Sequence, residues 1–147
     1  MLWVSKKNGF YYIDLEKYYT RRLGMELTEF FKSIVDEDKS AIVICDIKHT
    51  IIYMNPAACS RYSKKGGASL VGRSLMDCHN SKSNEMIQKV IEWFQLSESN
   101  NRIFTYHNEK ENKDVYMIAL RNAQGALIGY YERHEYRNRE TEPCYHF

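Results

Sequence analysis

From Glu26 on, two stretches of this chain carry apolar residues at helical spacing, and five shorter ones read as strands. Leu27, Phe30, Phe31, Ile34 and Val35 fall at i, i+3, i+4, i+7 and i+8, so Glu26–Val35 is predicted to be a helix with one apolar stripe. Met86, Ile87, Val90, Ile91 and Phe94 repeat the pattern, with Glu85, Gln88, Lys89 and Glu92 opposite, and predict a helix over Asn84–Phe94. Ala41–Cys45 and Thr50–Met54 are brief β-branched runs separated by Asp46, Lys48 and His49, residues that suit a turn. Asn55-Pro56 then ends the second strand and starts a helix. Asn accepts a hydrogen bond from the free N–H groups of a first turn, and Pro at the first helical position gives up no intrahelical bond.

Three further strands are predicted over Arg102–His107, Val115–Arg121 and Ala126–Arg133, the last two joined by Asn122-Ala123-Gln124-Gly125 as a short hairpin loop. Ser63–Gly72 holds three glycines and reads as loop or irregular helix, and Ser74–Asp77 has capping-box form for a short turn. Ahead of the first helix, Leu2–Ser5 and Phe10–Ile13 are predicted to pair as a hairpin around Lys7-Asn8-Gly9, and Asp14 is predicted to cap a short helix that Gly24 ends. The order is helix, two strands, a helical middle and a three-strand meander. It predicts an α+β fold, a five-stranded antiparallel sheet with helices packed on one face and an apolar space between them. The expected division is an aromatic-rich N-terminal extension over 1–25, a single domain over 26–136 and a polar tail over 137–147.

Composition narrows the function classes. At 147 residues with 44% hydrophobic content, one domain of ordinary globular character is expected. The 21 basic and 19 acidic residues are interspersed, so the net charge of +2 singles out neither nucleic acid nor a membrane surface as a partner. Arg133, Arg137 and Arg139 alternate with Glu132, Glu135 and Glu140 and read as a solvated surface. No run reaches the roughly eighteen apolar residues of a membrane span, and the N-terminus lacks an apolar core of signal-peptide length. Cys45, Cys59, Cys78 and Cys144 show no CxxC spacing or paired framework, which fits a cytoplasmic, reduced protein. His49, His107, His134 and His146 fall at turns, strand ends or the tail, where solvent-facing or locally bonded roles are the default. No Ser/His/Asp set, phosphate loop, HExxH or paired-carboxylate motif is evident. Twelve tyrosines favour a protein partner.

Strand, turn, strand, Asn55-Pro56-Ala57-Ala58 resembles the start of the PAS sensory fold, and the element order fits that family over roughly residues 26–136. Within it, Gly72, Arg73, Cys78, His79, Lys82 and Ser83 resemble a group of small bacterial PAS modules that carry Gly-Arg, four residues, then Cys-His-Pro-Pro-Lys-Ser before the long helix. Asn80 and Ser81 replace the two prolines. The resemblance implies a sensory module that holds a small ligand or a partner and seldom does chemistry on it. It leaves the occupant open among haem, flavin, small metabolites and nothing. Haem needs one strong axial donor and a mostly apolar cavity. His79, through a neutral imidazole nitrogen, is the candidate iron ligand, with Cys78 as thiolate second, and Met86, Met117 and Ile118 are expected to line the cavity. A plainer reading competes, in which His79 caps a helix start or bonds to the neighbouring loop and Cys78 is a packed thiol. A flavin–cysteine photoreceptor is disfavoured, because Asp77-Cys78-His79-Asn80 shares only the thiol with the light-sensing motif Asn-Cys-Arg-Phe-Leu-Gln.

Three functions remain in competition. The leading one is a stand-alone cytoplasmic sensor or adaptor, in which a small-molecule ligand alters a protein contact or self-association, with output through a partner. A homodimer is expected, because the apolar stripe of the first helix follows an arm rich in aromatic residues. The second is a small α+β enzyme of isomerase or dehydratase type, for which Asp77 and His79 are the acid/base candidates. The third is an interaction module whose cavity is filled by its own side chains.

Overall fold

The computed structural model describes residues 4–7, 10–13 and 27–145. The chain divides into two compact units, Met1–Asp38 and Lys39–Phe147. In the first, β1 (Val4–Lys7) and β2 (Phe10–Ile13) pair antiparallel, with Val4 opposite Ile13 and Lys7 opposite Phe10. β1 spans Val4–Lys7 where Leu2–Ser5 was expected, and the turn expected at Asn8-Gly9 lies outside the described residues. The helix expected after Asp14 lies outside the described residues. α1 (Leu27–Glu37) matches the predicted amphipathic helix, and Phe31 and Ile34 are exposed on it.

The second unit is built on a five-stranded antiparallel sheet in the order β4-β3-β7-β6-β5. Its strands are β3 (Val43–Asp46), β4 (Ile51–Met54), β5 (Arg102–Asn108), β6 (Lys113–Arg121) and β7 (Leu127–Tyr136). β3 and β4 are neighbours, as the turn residues predict. Asp46 Oδ1 accepts from the N–H groups of Lys48 and Thr50 at 2.8 and 2.9 Å, which holds that turn, and His49 sits within it at a φ of 66°. β7 lies against β3 with no side chain between the backbones at Gly129. A Cβ there would come within 2.3 Å of the Cys45 carbonyl oxygen.

Asn55 earns its place at the end of β4. It is fully buried, and its Oδ1 accepts from Ala58 N and Ile42 N, each at 2.9 Å, while its Nδ2 donates to Ser40 O at 2.9 Å. One side chain therefore caps α2 (Pro56–Arg61) and fixes the entry into β3. Short 3₁₀ turns follow at Ser63–Lys65, Gly67–Leu70 and Leu75–Cys78, the irregular middle that the glycines predict. Ser74 caps the last of these through its hydroxyl to Met76 N at 3.2 Å.

α3 (Ser81–Leu96) begins three residues before the expected Asn84. Asn80 is its N-cap, accepting from Ser83 N at 2.9 Å, and the polar first turn Ser81–Ser83 carries no apolar periodicity to announce it. The core between α3 and the sheet includes Val90, Ile91, Phe94, Ile51, Met117 and Tyr130.

Candidate functional site

The antiparallel register decides which side chains face the helices. Ile51, Cys45, Tyr130 and Ala119 stand opposite one another across four strands and share the inner face. Strand alternation puts Val43, Glu132, Met117 and Ile103 in the next row, and Val115 and His134 beyond it. Ile51, Cys45 and Tyr130 of the first row and Val43, Glu132 and Met117 of the second form the floor of a cavity of about 170 Å³. Its walls come from Leu70 and Leu75 in the 3₁₀ segments, Tyr62 after α2, and Ile87 on α3. Cys78 and His79 line it as well, at the junction between the last 3₁₀ turn and α3.

Of the residues singled out in the sequence, Met117 joins Cys78 and His79 on the lining, but Met86 and Ile118 do not. Ile118 is one step along β6 from Met117 and so points to the opposite sheet face, opposite Tyr131. Met86 is 54% exposed; α3 turns Ile87 to the cavity in its stead. Asp77 is exposed and does not line the cavity.

The cavity also holds polar residues that sequence reasoning treated as surface or passed over. Tyr130 is buried on its floor, and its hydroxyl lies 2.8 Å from His49 Nδ1. His49 Nε2 continues to Gln88 Oε1 on α3 at 3.1 Å, and Gln88 Nε2 donates to Glu92 at 3.2 Å. The thiol of Cys45 is hydrogen-bonded to Tyr130; burial pushes it up to about 12, so it stays protonated. Burial, and then the neighbouring Cys45, likewise push the Tyr130 phenol well above its ordinary value.

A second network runs from the other floor row. Glu132 Oε1 lies 2.7 Å from His134 Nε2, and His134 Nδ1 lies 3.3 Å from Lys113 Nζ. Both His134 and Lys113 are buried. Lys113 pairs with Glu111 at 3.0 Å, and Glu111 takes both arms of the Arg61 guanidinium at 2.7 and 3.0 Å. Glu132 had read as part of a solvated, charge-alternating surface, and His134 as a solvent-facing or locally bonded residue at a strand end. β7 instead continues to Tyr136, so alternation turns Glu132 and His134 inward while Arg133 points out. Strand period was the signal that could have found them, Glu132 within the predicted Ala126–Arg133 strand and His134 one step past its end.

In this conformation the cavity is too small to enclose haem. The cavity is smaller than the roughly 300–1,000 Å³ of pockets that hold drug-sized ligands, and a porphyrin is larger than most of those. Among the described residues, no group of three or more His, Cys, Asp or Glu side chains could hold a metal ion. Also among the described residues, no helix is long and apolar enough to cross a membrane.

The family model described as PAS domain matches residues 39–132, the span that carries the sheet, the 3₁₀ segments and the cavity. The chain belongs to the PAS domain family. Several solved structures share the fold. The PAS domain of a Colwellia psychrerythraea protein superposes with a TM-score of 0.56 at 14% identity, over 75% of this chain and 96% of that one. The PAS domain of BvgS from Bordetella pertussis gives 0.52 at 16% identity, over 76% and 87%. The C-terminal domain of a Streptococcus mutans protein gives 0.58 at 18% identity, over 91% and 92%. A search of curated proteins returned no match. PAS domains are sensory modules, so this chain carries a sensory fold around a small, largely apolar cavity.

Proposed function

We propose that this PAS domain is a ligand-responsive signalling module, and that the cavity between the inner sheet face and the Leu75–Ile87 segment receives a small molecule. The observation that carries the reading is the cavity itself, apolar around Ile51, Leu70, Leu75, Ile87 and Met117, with Tyr130 and Glu132 as convergent polar groups on its floor. A few directed polar groups in an apolar hollow are the usual form of a small-molecule site. An apolar cavity of about 150 Å³ accepts benzene, so this one suits a ligand of one or two rings.

His79 and Cys78 serve this reading as wall residues and not as metal ligands. A ligand shifts the protein only by its difference in affinity between two states. The contact between Tyr130 and His49 gives it a place to act, because it joins the cavity floor to the β3–β4 turn and to α3. The output we favour is a contact with a second copy of the chain through α1, on which Phe31 and Ile34 are 58% and 69% exposed.

The test is native mass spectrometry and an absorption spectrum of the purified full-length protein, followed by thermal shift with one- and two-ring aromatic compounds. Neither a Soret band nor flavin absorption is expected, and saturable stabilisation by at least one such compound is. Absence of stabilisation across the set would leave a self-filled interaction module instead. A haem-loaded protein would overturn the size argument.

A further inference from the structure

The hydrogen-bond networks behind the cavity floor fix which polar role each floor group can play. Gln88 donates through Nε2 to Glu92, so its Oε1 faces His49 and accepts from Nε2–H. His49 Nδ1 is then the bare acceptor of a neutral ring, and the Tyr130 O–H donates to it. That commits the only proton Tyr130 has, so its oxygen can only accept, from the Cys45 thiol beside it and, through its remaining lone pair, from a molecule in the cavity.

Glu132 is constrained the same way from the other side. Lys113 has no acceptor, so it donates to His134 Nδ1, which leaves Nε2–H to donate to Glu132 Oε1. The second Glu132 oxygen is left as an acceptor on a residue that lines the cavity. Tyr62, whose hydroxyl rotates, takes either role, and Lys65 is exposed at the rim.

We propose that the cavity selects a one- or two-ring apolar molecule whose polar group is a hydrogen-bond donor, an aromatic N–H, O–H or amine, received by Tyr130 or Glu132. This rests on the cavity being the ligand site and specifies the chemistry of what enters it. A ligand that offers only an acceptor would set a lone pair against the Tyr130 oxygen or the Glu132 carboxylate. Tyr130 is buried and Glu132 is half-exposed, so this repulsion falls hardest on the Tyr130 oxygen, where no water relieves it.

Indole and benzofuran make the test, since they match in size and shape and differ by an N–H in place of an ether oxygen. Dissociation constants of both for the full-length protein would be measured by ligand-observed NMR or calorimetry. Indole should bind more tightly by about five- to tenfold, the worth of roughly one neutral hydrogen bond. Tyr130→Phe and Glu132→Leu together should erase the preference. His49→Asn, which suits the positive φ at that position, should narrow it by freeing the Tyr130 proton, and it guards against a misfolded double variant. Equal binding of the two probes, or tighter benzofuran, overturns the donor rule while the cavity remains a ligand site. Binding of neither probe overturns both. A preference that survives all the substitutions overturns the assignment to Tyr130 and Glu132.

Discussion

The guanidinium of Arg121 on β6 donates to the backbone carbonyl of Phe94 at 2.7 Å, joining the sheet to the C-terminal turn of the helix that walls the cavity. The same side chain donates to the carbonyls of Ser97, Asn100 and Gly125 at 3.0–3.2 Å and to Asn101 Oδ1 at 2.7 Å. The last carbonyls of a helix have no intrahelical partner, and a cation there also meets the negative end of the helix dipole. Arg121 therefore stands where a C-terminal cap would, and it ties the β6–β7 loop to the same point.

Arg121→Ala should cost about 2–3 kcal/mol, since it orphans several carbonyls in one step. Arg121→Lys should recover less than half of that, because an ammonium cannot hold a planar fork of donors. Urea unfolding of both variants gives the comparison. A loss equal to that of an ordinary surface arginine, under about 0.5 kcal/mol, would show that water replaces these bonds at no cost.

Asn55 should be still less replaceable. Asn55→Ala removes a helix cap and leaves the buried N–H of Ala58 and of Ile42 without the acceptor they share. The expected loss is about 2–4 kcal/mol, a cap plus an unsatisfied donor. Asn55→Asp retains the acceptor but removes the donor to Ser40 O and sets a carboxylate against that carbonyl. It should fall between wild type and alanine at neutral pH. An aspartate variant as stable as wild type would mean that the Ser40 bond contributes nothing.

Acid sensitivity should centre on Glu111. The hydrogen bonds from Arg61, then from Lys113, hold its carboxyl down at about 2, from an ordinary value near 4.5. A depressed carboxyl stabilises the fold fully above about 4.5, and that stability drains away as pH falls from there towards about 2. Denaturant midpoints at pH 5.5 and pH 3 should therefore diverge in wild type and differ less in Glu111→Gln. At pH 5.5 the variant should already be weaker, because buried Lys113 has lost its anion. Parallel pH profiles for the two proteins would remove Glu111 from the account.

The sheet was legible from sequence because its strands are short apolar runs between strong turn formers, and Asn55-Pro56 marks the one switch to a helix. Cys78, His79 and Met117 were likewise reachable, the first two through a motif and the third by strand alternation. The floor chemistry was not. Cys45, Tyr130 and Glu132 come from strands 85 or more residues apart in the case of Cys45 and its partner Tyr130, and only the β3–β7 pairing brings them together. His49 reads as a turn residue, since nothing local announces the Tyr130 hydroxyl at the far end of the chain. Met86 misled for a different reason: an apolar stripe on a helix is wider than the part of it that touches a cavity, and its edge stays in solvent.

Association through α1 is the remaining expectation. Its apolar stripe keeps Phe31 and Ile34 exposed, at 58% and 69%, and its opposite side carries the Lys32–Asp36 ion pair. A surface ion pair of this kind contributes little, so the helix needs its apolar face covered to be stable in water. A two-fold dimer would cover the same patch on both copies at once. Ile34→Glu in the full-length protein should shift sedimentation equilibrium towards monomer, by about tenfold in dissociation constant if one large apolar side chain is lost from the contact on each side. Lys32→Ala, two residues away on the polar side, should leave it unchanged. A wild-type monomer at tens of micromolar would end the dimer reading, and a dimer indifferent to Ile34→Glu would move the contact off α1.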